Sequence, residues 1–120
     1  MKFVIKGRLV SLNEYINAER SNRYAAAKLK KDQQALISWS IKQYNLKPVT
    51  NYPVKLKITW YEKNNRRDAD NVAFAKKFIQ DALVVAGIFK DDSRKYITGF
   101  EEEVLTDKQD PRIVVEITEG

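Results

Sequence analysis

Cysteine and histidine are both absent from the sequence. Without cysteine the chain has no disulfide, no zinc–thiolate site and no thiol nucleophile. Without histidine it has no Ser-His-Asp triad, no imidazole general base and no histidine metal ligand. Any catalytic metal must then be held by oxygen atoms, which points to magnesium, manganese or calcium. Long apolar runs are missing too, so nothing in the sequence reads as a membrane span. The N-terminal stretch MKFVIKGRLVSLNEY is broken by polar and charged residues and makes a poor signal peptide, which predicts a cytoplasmic protein. No internal repeat or low-complexity tract divides the chain.

What is present is enough for one core. The 120 residues predict a single domain, residues 1–120. A 43% hydrophobic and 32% charged composition is that of a globular protein with a well-solvated surface. The formal net charge of +6 favours an anionic partner, nucleic acid being the commonest.

Hydrophobic periodicity predicts the elements. Met1 to Lys6 reads as a strand with Phe3 and Ile5 on one face, followed by a loop from Gly7 to about Ser21. Asn22 is placed to cap a long helix reaching Tyr44, although no acidic residue three positions on completes a capping box. Ile37, Ile41 and Tyr44 form that helix's apolar stripe, widened by Leu36 and Trp39. Pro48 and Pro53 bracket a turn segment. Val54, Leu56, Ile58 and Trp60 then alternate with Lys55, Lys57, Thr59 and Tyr61 in the clearest strand of the chain. A second helix is expected from about Asp70 to Ala86, with Gly87 as its stop. Tyr96–Leu105 and Arg112–Thr118 read as strands joined by the turn Thr106–Pro111, so a hairpin is expected. The order β-α-β-α-β-β gives an α+β domain, two helices on a small mixed sheet of about four strands.

The chemistry-bearing stretch is Arg66-Arg67-Asp68-Ala69-Asp70-Asn71. In an extended segment residues i and i+2 point the same way, so Asp68 and Asp70 are spaced to reach one ion together. Asp91 and Asp92 follow the second helix, and spacing does not fix which of them returns to the first pair. Hydrolysis of a phosphodiester with magnesium needs carboxylates of this kind, and a nearby lysine steadies charge at the scissile phosphate. The structural alternative is that Asp70 only caps a helix and that Asp91–Asp92 is only a polar turn. Residue spacing alone leaves both readings open.

At these positions the sequence resembles the RusA family of Holliday-junction resolvases, common in phages and prophages. The matching series is Arg67-Asp68-Ala69-Asp70-Asn71, then Lys77 through Asp81-Ala82-Leu83, Ala86-Gly87 and Asp91-Asp92. Asn13-Glu14-Tyr15, with Arg20, Asn22, Arg23 and Tyr24 after it, also looks like the family's N-terminal region. The resemblance implies a homodimeric endonuclease of DNA recombination and repair, with magnesium or manganese as cofactor. Each subunit would cut one of two opposed strands of a four-way junction and leave ligatable ends. Carried onto this chain, the metal ligands are Asp68, Asp70 and one of Asp91 and Asp92, with Asp92 preferred. The resemblance also implies a catalytic lysine on the helix after the D-x-D-N series.

Here the chain departs from the best-known members. Its Asp70–Asp81 segment is about three residues longer, nearly one helical turn. Counting forward from Asp70 lands on Phe74, whereas counting back from Asp81 lands on Lys77. On a continuous helix, at about 100° per residue, Asp70, Lys77 and Asp81 fall nearly on one line and Lys76 is turned away. Lys77 is therefore assigned the role, with Lys76 in reserve, while Asp81 is expected to pair with Lys77 at i,i+4. The alternative is that both lysines only solvate the helix.

Arg20, Arg23, Lys28, Lys30 and Lys31, opposed only by Glu19 and Asp32, form the candidate DNA surface, joined by Arg66 and Arg67 beside the aspartates and by Lys76. An ordinary solvated face is the alternative. A two-fold substrate calls for an isologous dimer. The apolar side of the first helix and Phe89 are its candidate contacts, although burial in the monomer core is the expected fate of most such aromatics. A less specific metal nuclease, a non-catalytic nucleic-acid-binding module and a structural dimer are the competing functions.

Overall fold

The computed structural model describes residues 1–120. Its elements are β1 (Lys2–Lys6), α1 (Leu12–Ser21), α2 (Arg23–Lys42), β2 (Val54–Glu62), α3 (Ala69–Ala73), α4 (Lys76–Val85), β3 (Ile97–Thr106) and β4 (Arg112–Thr118). They build one four-stranded mixed sheet in the order β1-β4-β2-β3, so the α+β expectation holds. Alternation shapes β2: Val54, Leu56, Ile58 and Trp60 are buried to within 1%, while Lys55 and Lys57 face solvent. Ile37 and Ile41 of α2 and Phe78, Ile79, Ala82 and Leu83 of α4 complete the same core.

The expected hairpin is not there. β3 runs parallel to β2 along its outer side, and β4 lies between β1 and β2, antiparallel to both. Parallel neighbours need a long crossover, and α3 and α4 supply it between β2 and β3. Residues 107–111 then carry the chain past the end of β2, where the Asp107 N–H donates to the Glu62 carbonyl at 2.8 Å. A link of this length suits a hairpin or a step over one strand about 5 Å wide. Partners for β4's inward Ile113, Val115 and Ile117 beside β1 decide between them.

Two of the helix assignments also differ from expectation. Most of the supposed loop before Asn22 is α1, opened by a capping box: Ser11 Oγ accepts from the Glu14 N–H and Glu14 Oε1 from the Ser11 N–H, both at 3.2 Å. No residue of α1 is fully buried. Asn22 does cap α2, accepting from the Ala25 N–H at 2.7 Å. Further along α2 the expected stripe narrows, since Trp39 is 62% exposed. The helix expected over 70–86 is two, α3 and α4, joined through Phe74 and Ala75 by tighter i→i−3 bonds.

Gly87 ends α4 as expected. At φ +77° it lets its own N–H reach the Val84 carbonyl and the Ile88 N–H the Leu83 carbonyl, each at 3.0 Å. Ile88 and Phe89 are thereby folded into the core, which removes Phe89 as a dimer contact, and the 91–92 segment is turned back along α4.

Candidate active site

The D-x-D-N series sits where β2 hands over to α3. Asp68 is the N-cap residue of α3, with extended backbone (φ −67°, ψ 153°), yet its side chain makes no capping bond. Asp70 follows in the first turn. Both are exposed, and neither takes part in an ion pair. Two carboxylates two residues apart at a helix N-terminus, with no partner in the protein, leave negative charge directed at solvent and free to ligate.

The residues flanking them are committed. Arg67 donates through Nη1 to the Leu9 carbonyl at 3.1 Å, pairs through Nη2 with Glu14, and lies 3.7 Å from Glu62. Its guanidinium therefore points into the protein and not at a phosphate, while Arg66 stays exposed. On the other side Asn71 Oδ1 accepts from the Asn13 N–H at 2.9 Å. Tyr15 packs its ring 5.5 Å from Phe74 and 5.8 Å from Phe78. The Asn13-Glu14-Tyr15 segment thus docks on the D-x-D-N turn and on the α3–α4 junction, which explains physically why the two motifs occur together.

The lysines separate cleanly. Lys76 leans toward β3, pairing with Glu102 at 2.9 Å and lying 5.4 Å over the Phe100 ring. Lys77 lies on the other side, 3.3 Å from both Asp81 and Asp92. The i,i+4 pairing of Lys77 with Asp81 is as expected. The one-line argument through Asp70 does not survive, because the helix is interrupted at Phe74–Ala75. Partial burial by itself would lower the Lys77 pKa. Hydrogen bonds to Asp81 and Asp92, with their negative charges, outweigh it and raise the ammonium above the ordinary lysine value. Of the 91–92 pair it is Asp92 that returns to α4, while Asp91 folds over to accept from the Asp92 N–H at 2.8 Å.

Lys30, Gln34, Lys77, Asp81, Val84, Val85 and Asp92 line an open cleft of about 400 Å³ between α2, α4 and the 91–92 segment. Gln34 Nε2 reaches Asp81 across it at 3.3 Å. Lys30 is the residue of the basic series that enters this cleft. Arg20 belongs to the last turn of α1, Arg23 begins α2 beside Tyr24, Lys28 is paired with Asp32 at 3.0 Å, and Lys31 is exposed. No group of three or more carboxylates converges closely enough to hold a metal ion, so Asp68, Asp70 and Asp92 are not gathered into one ligand cage.

Sequence reasoning passed over Glu62 and Arg8, which pair at 2.8 Å, and quoted Glu14 only within the family-like Asn13-Glu14-Tyr15 stretch, without its bond to Arg67. A signal for Glu62 existed: it continues the inward series Val54, Leu56, Ile58, Trp60 by one more step of two. For Glu14 the signal was Ser11 three residues earlier.

A family model described as endodeoxyribonuclease RusA matches residues 8–118 of the 120. The chain belongs to the RusA family. The match runs from Arg8, between β1 and α1, to Thr118 at the end of β4 and includes every candidate site residue described above. Membership makes the chain a nuclease acting on DNA, in a family that implies Holliday-junction resolution. No curated protein sequence matches the chain significantly. No helix is long and apolar enough to cross a membrane.

Proposed function

We propose that this RusA-family chain resolves four-way DNA junctions by paired symmetric nicks, as a homodimer, using a divalent cation for which Asp68, Asp70 and Asp92, apart in the metal-free protein, are the ligands. The observation that carries the reading is the braced turn between β2 and α3, which presents two unpaired aspartates to solvent. The donor set fits magnesium, with manganese as the alternative, because only oxygen ligands are present on a chain without histidine or cysteine. Bound there, the ion would lower the pKa of a water and polarise the phosphoryl group.

The chain's own groups do the rest. Lys77, held charged, is the cation placed beside Asp92 to meet negative charge building on the scissile phosphate. Asp81 orients that lysine and needs no metal to do so. Arg20, Arg23, Lys28, Lys30, Lys31 and Arg66 supply phosphate contacts that position the arms without reading sequence, whereas Lys76 is taken up by Glu102 and the Phe100 ring. An isologous dimer would match the two-fold symmetry of the junction and bring one site to each of two opposed strands. Cellular or phage DNA would be met in the cytoplasm.

Cleavage of a synthetic four-way junction, with linear duplex as control, tests the proposal in magnesium and in EDTA. Paired symmetric nicks that require the metal and spare the duplex are expected. Equal cutting of both substrates would replace the resolvase with a less specific nuclease, and cutting that survives EDTA would remove the cation from the reading.

A further inference from the structure

Only one charged side chain in the protein is buried: Glu62, at 5% exposure. Its place at the end of β2 follows from strand alternation, which sends residue 62 to the same inward face as Trp60. A buried carboxylate persists only if it is paired and hydrogen-bonded. Glu62 Oε1 accepts from Arg8 Nε at 3.2 Å and from Arg8 Nη2 at 2.8 Å. The same oxygen lies 3.7 Å from Arg67 Nη1. One carboxylate oxygen therefore faces two guanidinium groups.

The second of these groups is the one that matters for the site. Arg67 directly precedes Asp68. Its other donors reach the Leu9 carbonyl at 3.1 Å and Glu14. Glu14 in turn closes the Ser11 capping box of α1, and Asn71, just past Asp70, accepts from the Asn13 N–H at 2.9 Å. The backbone carrying Asp68 and Asp70 is thus tied to α1 on both sides, and the inner end of the tie is anchored on Glu62. No side-chain bond of the aspartates contributes to this hold, so the orientation of their carboxylates is inherited from the backbone their neighbours fix.

We infer that Glu62 is a positioning residue: through Arg67 it fixes the Arg67–Asn71 backbone, so that Asp68 and Asp70 are presented together as ligands. The inference rests on the ligand role proposed above for those two aspartates. Groups that orient ligating carboxylates typically change metal affinity by about 10- to 100-fold when removed.

The test is Glu62→Gln, which keeps the shape and removes the charge facing Arg67. Manganese alone is the probe, titrated by electron paramagnetic resonance without DNA, together with amide hydrogen exchange over residues 67–71 in the metal-free protein. Manganese binding is expected to weaken about tenfold or more, with faster exchange over 67–71 and unchanged junction affinity in EDTA. A control of matched melting temperature, Ile37→Val or Ile37→Ala in the core, is expected to leave both readouts as in wild type. If Glu62→Gln does not fold, Arg67→Lys retains a charge beside Glu62 but not the fork of donors, and the same two losses are expected. Wild-type exchange and manganese affinity in a folded Glu62→Gln or Arg67→Lys protein would overturn the inference, as would equal losses in the matched control. If wild type binds no manganese, or Asp68→Asn binds it as tightly, the ligand reading fails on its own, and with it the inference about presentation. Normal manganese binding by wild type with an unaffected Glu62→Gln protein overturns the positioning role alone.

Discussion

Replacing Lys77 by alanine, beside the same change at Lys76, separates a residue acting on the substrate from one that only solvates the fold. Lys77→Ala removes two ion pairs, to Asp81 and Asp92, each at 3.3 Å, from a side chain that is 60% exposed. Pairs this exposed contribute about 0–1 kcal/mol each. At about 4 °C per kcal/mol for a domain of this size, the melting temperature should fall by no more than about 8 °C. Lys76→Ala removes a pair with Glu102 at 2.9 Å from a side chain that is 32% exposed, together with its packing on the Phe100 ring, so its structural cost is of the same order. The catalytic costs should differ sharply. Loss of one preorganised donor to developing oxyanion charge lowers kcat by about 10²–10³. Single-turnover cleavage of a four-way junction at saturating enzyme should show that loss for Lys77→Ala and near wild-type rates for Lys76→Ala. Gel-shift affinity in EDTA checks that binding survives in both. A Lys77→Ala protein that still cuts at the wild-type rate, or a Lys76→Ala protein that is the slower of the two, would refute the assignment.

Asp70→Asn should abolish cutting while leaving junction binding intact or tighter, because one negative charge beside the phosphate path is removed; loss of binding in a folded variant would contradict the ligand role. Reversing Lys30 and Lys31 to glutamate should weaken junction binding and flatten its dependence on salt, by about 0.9 in log–log slope for each phosphate no longer neutralised; an unchanged slope would show that neither touches DNA. Just past the ends of β2 and β3, the hydrogen bond from Arg112 holds the Asp107 carboxyl below its usual range, with the Asp110 and Gln109 N–H groups assisting against partial desolvation. A depressed pKa contributes stability that is present above the unfolded-state value of about 3.9 and is lost as pH falls through the folded value. Asp107→Asn should therefore flatten the acid limb of a stability–pH curve, read by urea melts from about pH 5 down to about pH 2.

Much of the fold was legible because its signals are local. Alternation from Val54 to Trp60 declares β2 whatever lies beside it, Asn22 caps the helix it precedes, and Gly87 takes the positive φ that ends α4. The i,i+4 pair of Lys77 and Asp81 is likewise a property of one helix. The aspartates of the candidate site stood out for a similar reason: their spacing, and the lack of any histidine or cysteine to compete for the role, are read along the chain.

What the sequence by itself determined, then, is the set of local elements, the oxygen-only chemistry and the family to which the D-x-D-N series belongs. The tertiary structure alone decided the neighbours. β4 pairs with β1 and β2 and not with β3, because inward side chains seek partners regardless of distance along the chain, and a five-residue link permits either course. Lys77 and not Lys76 meets Asp92 because the turn at Gly87 sends the chain back along one side of α4. Glu62 and Arg67 meet Arg8, Leu9 and Glu14 across sequence separations of 53 to 58 residues, and only burial at the end of β2 makes that meeting obligatory: a charge withdrawn from water must find its partners in the fold.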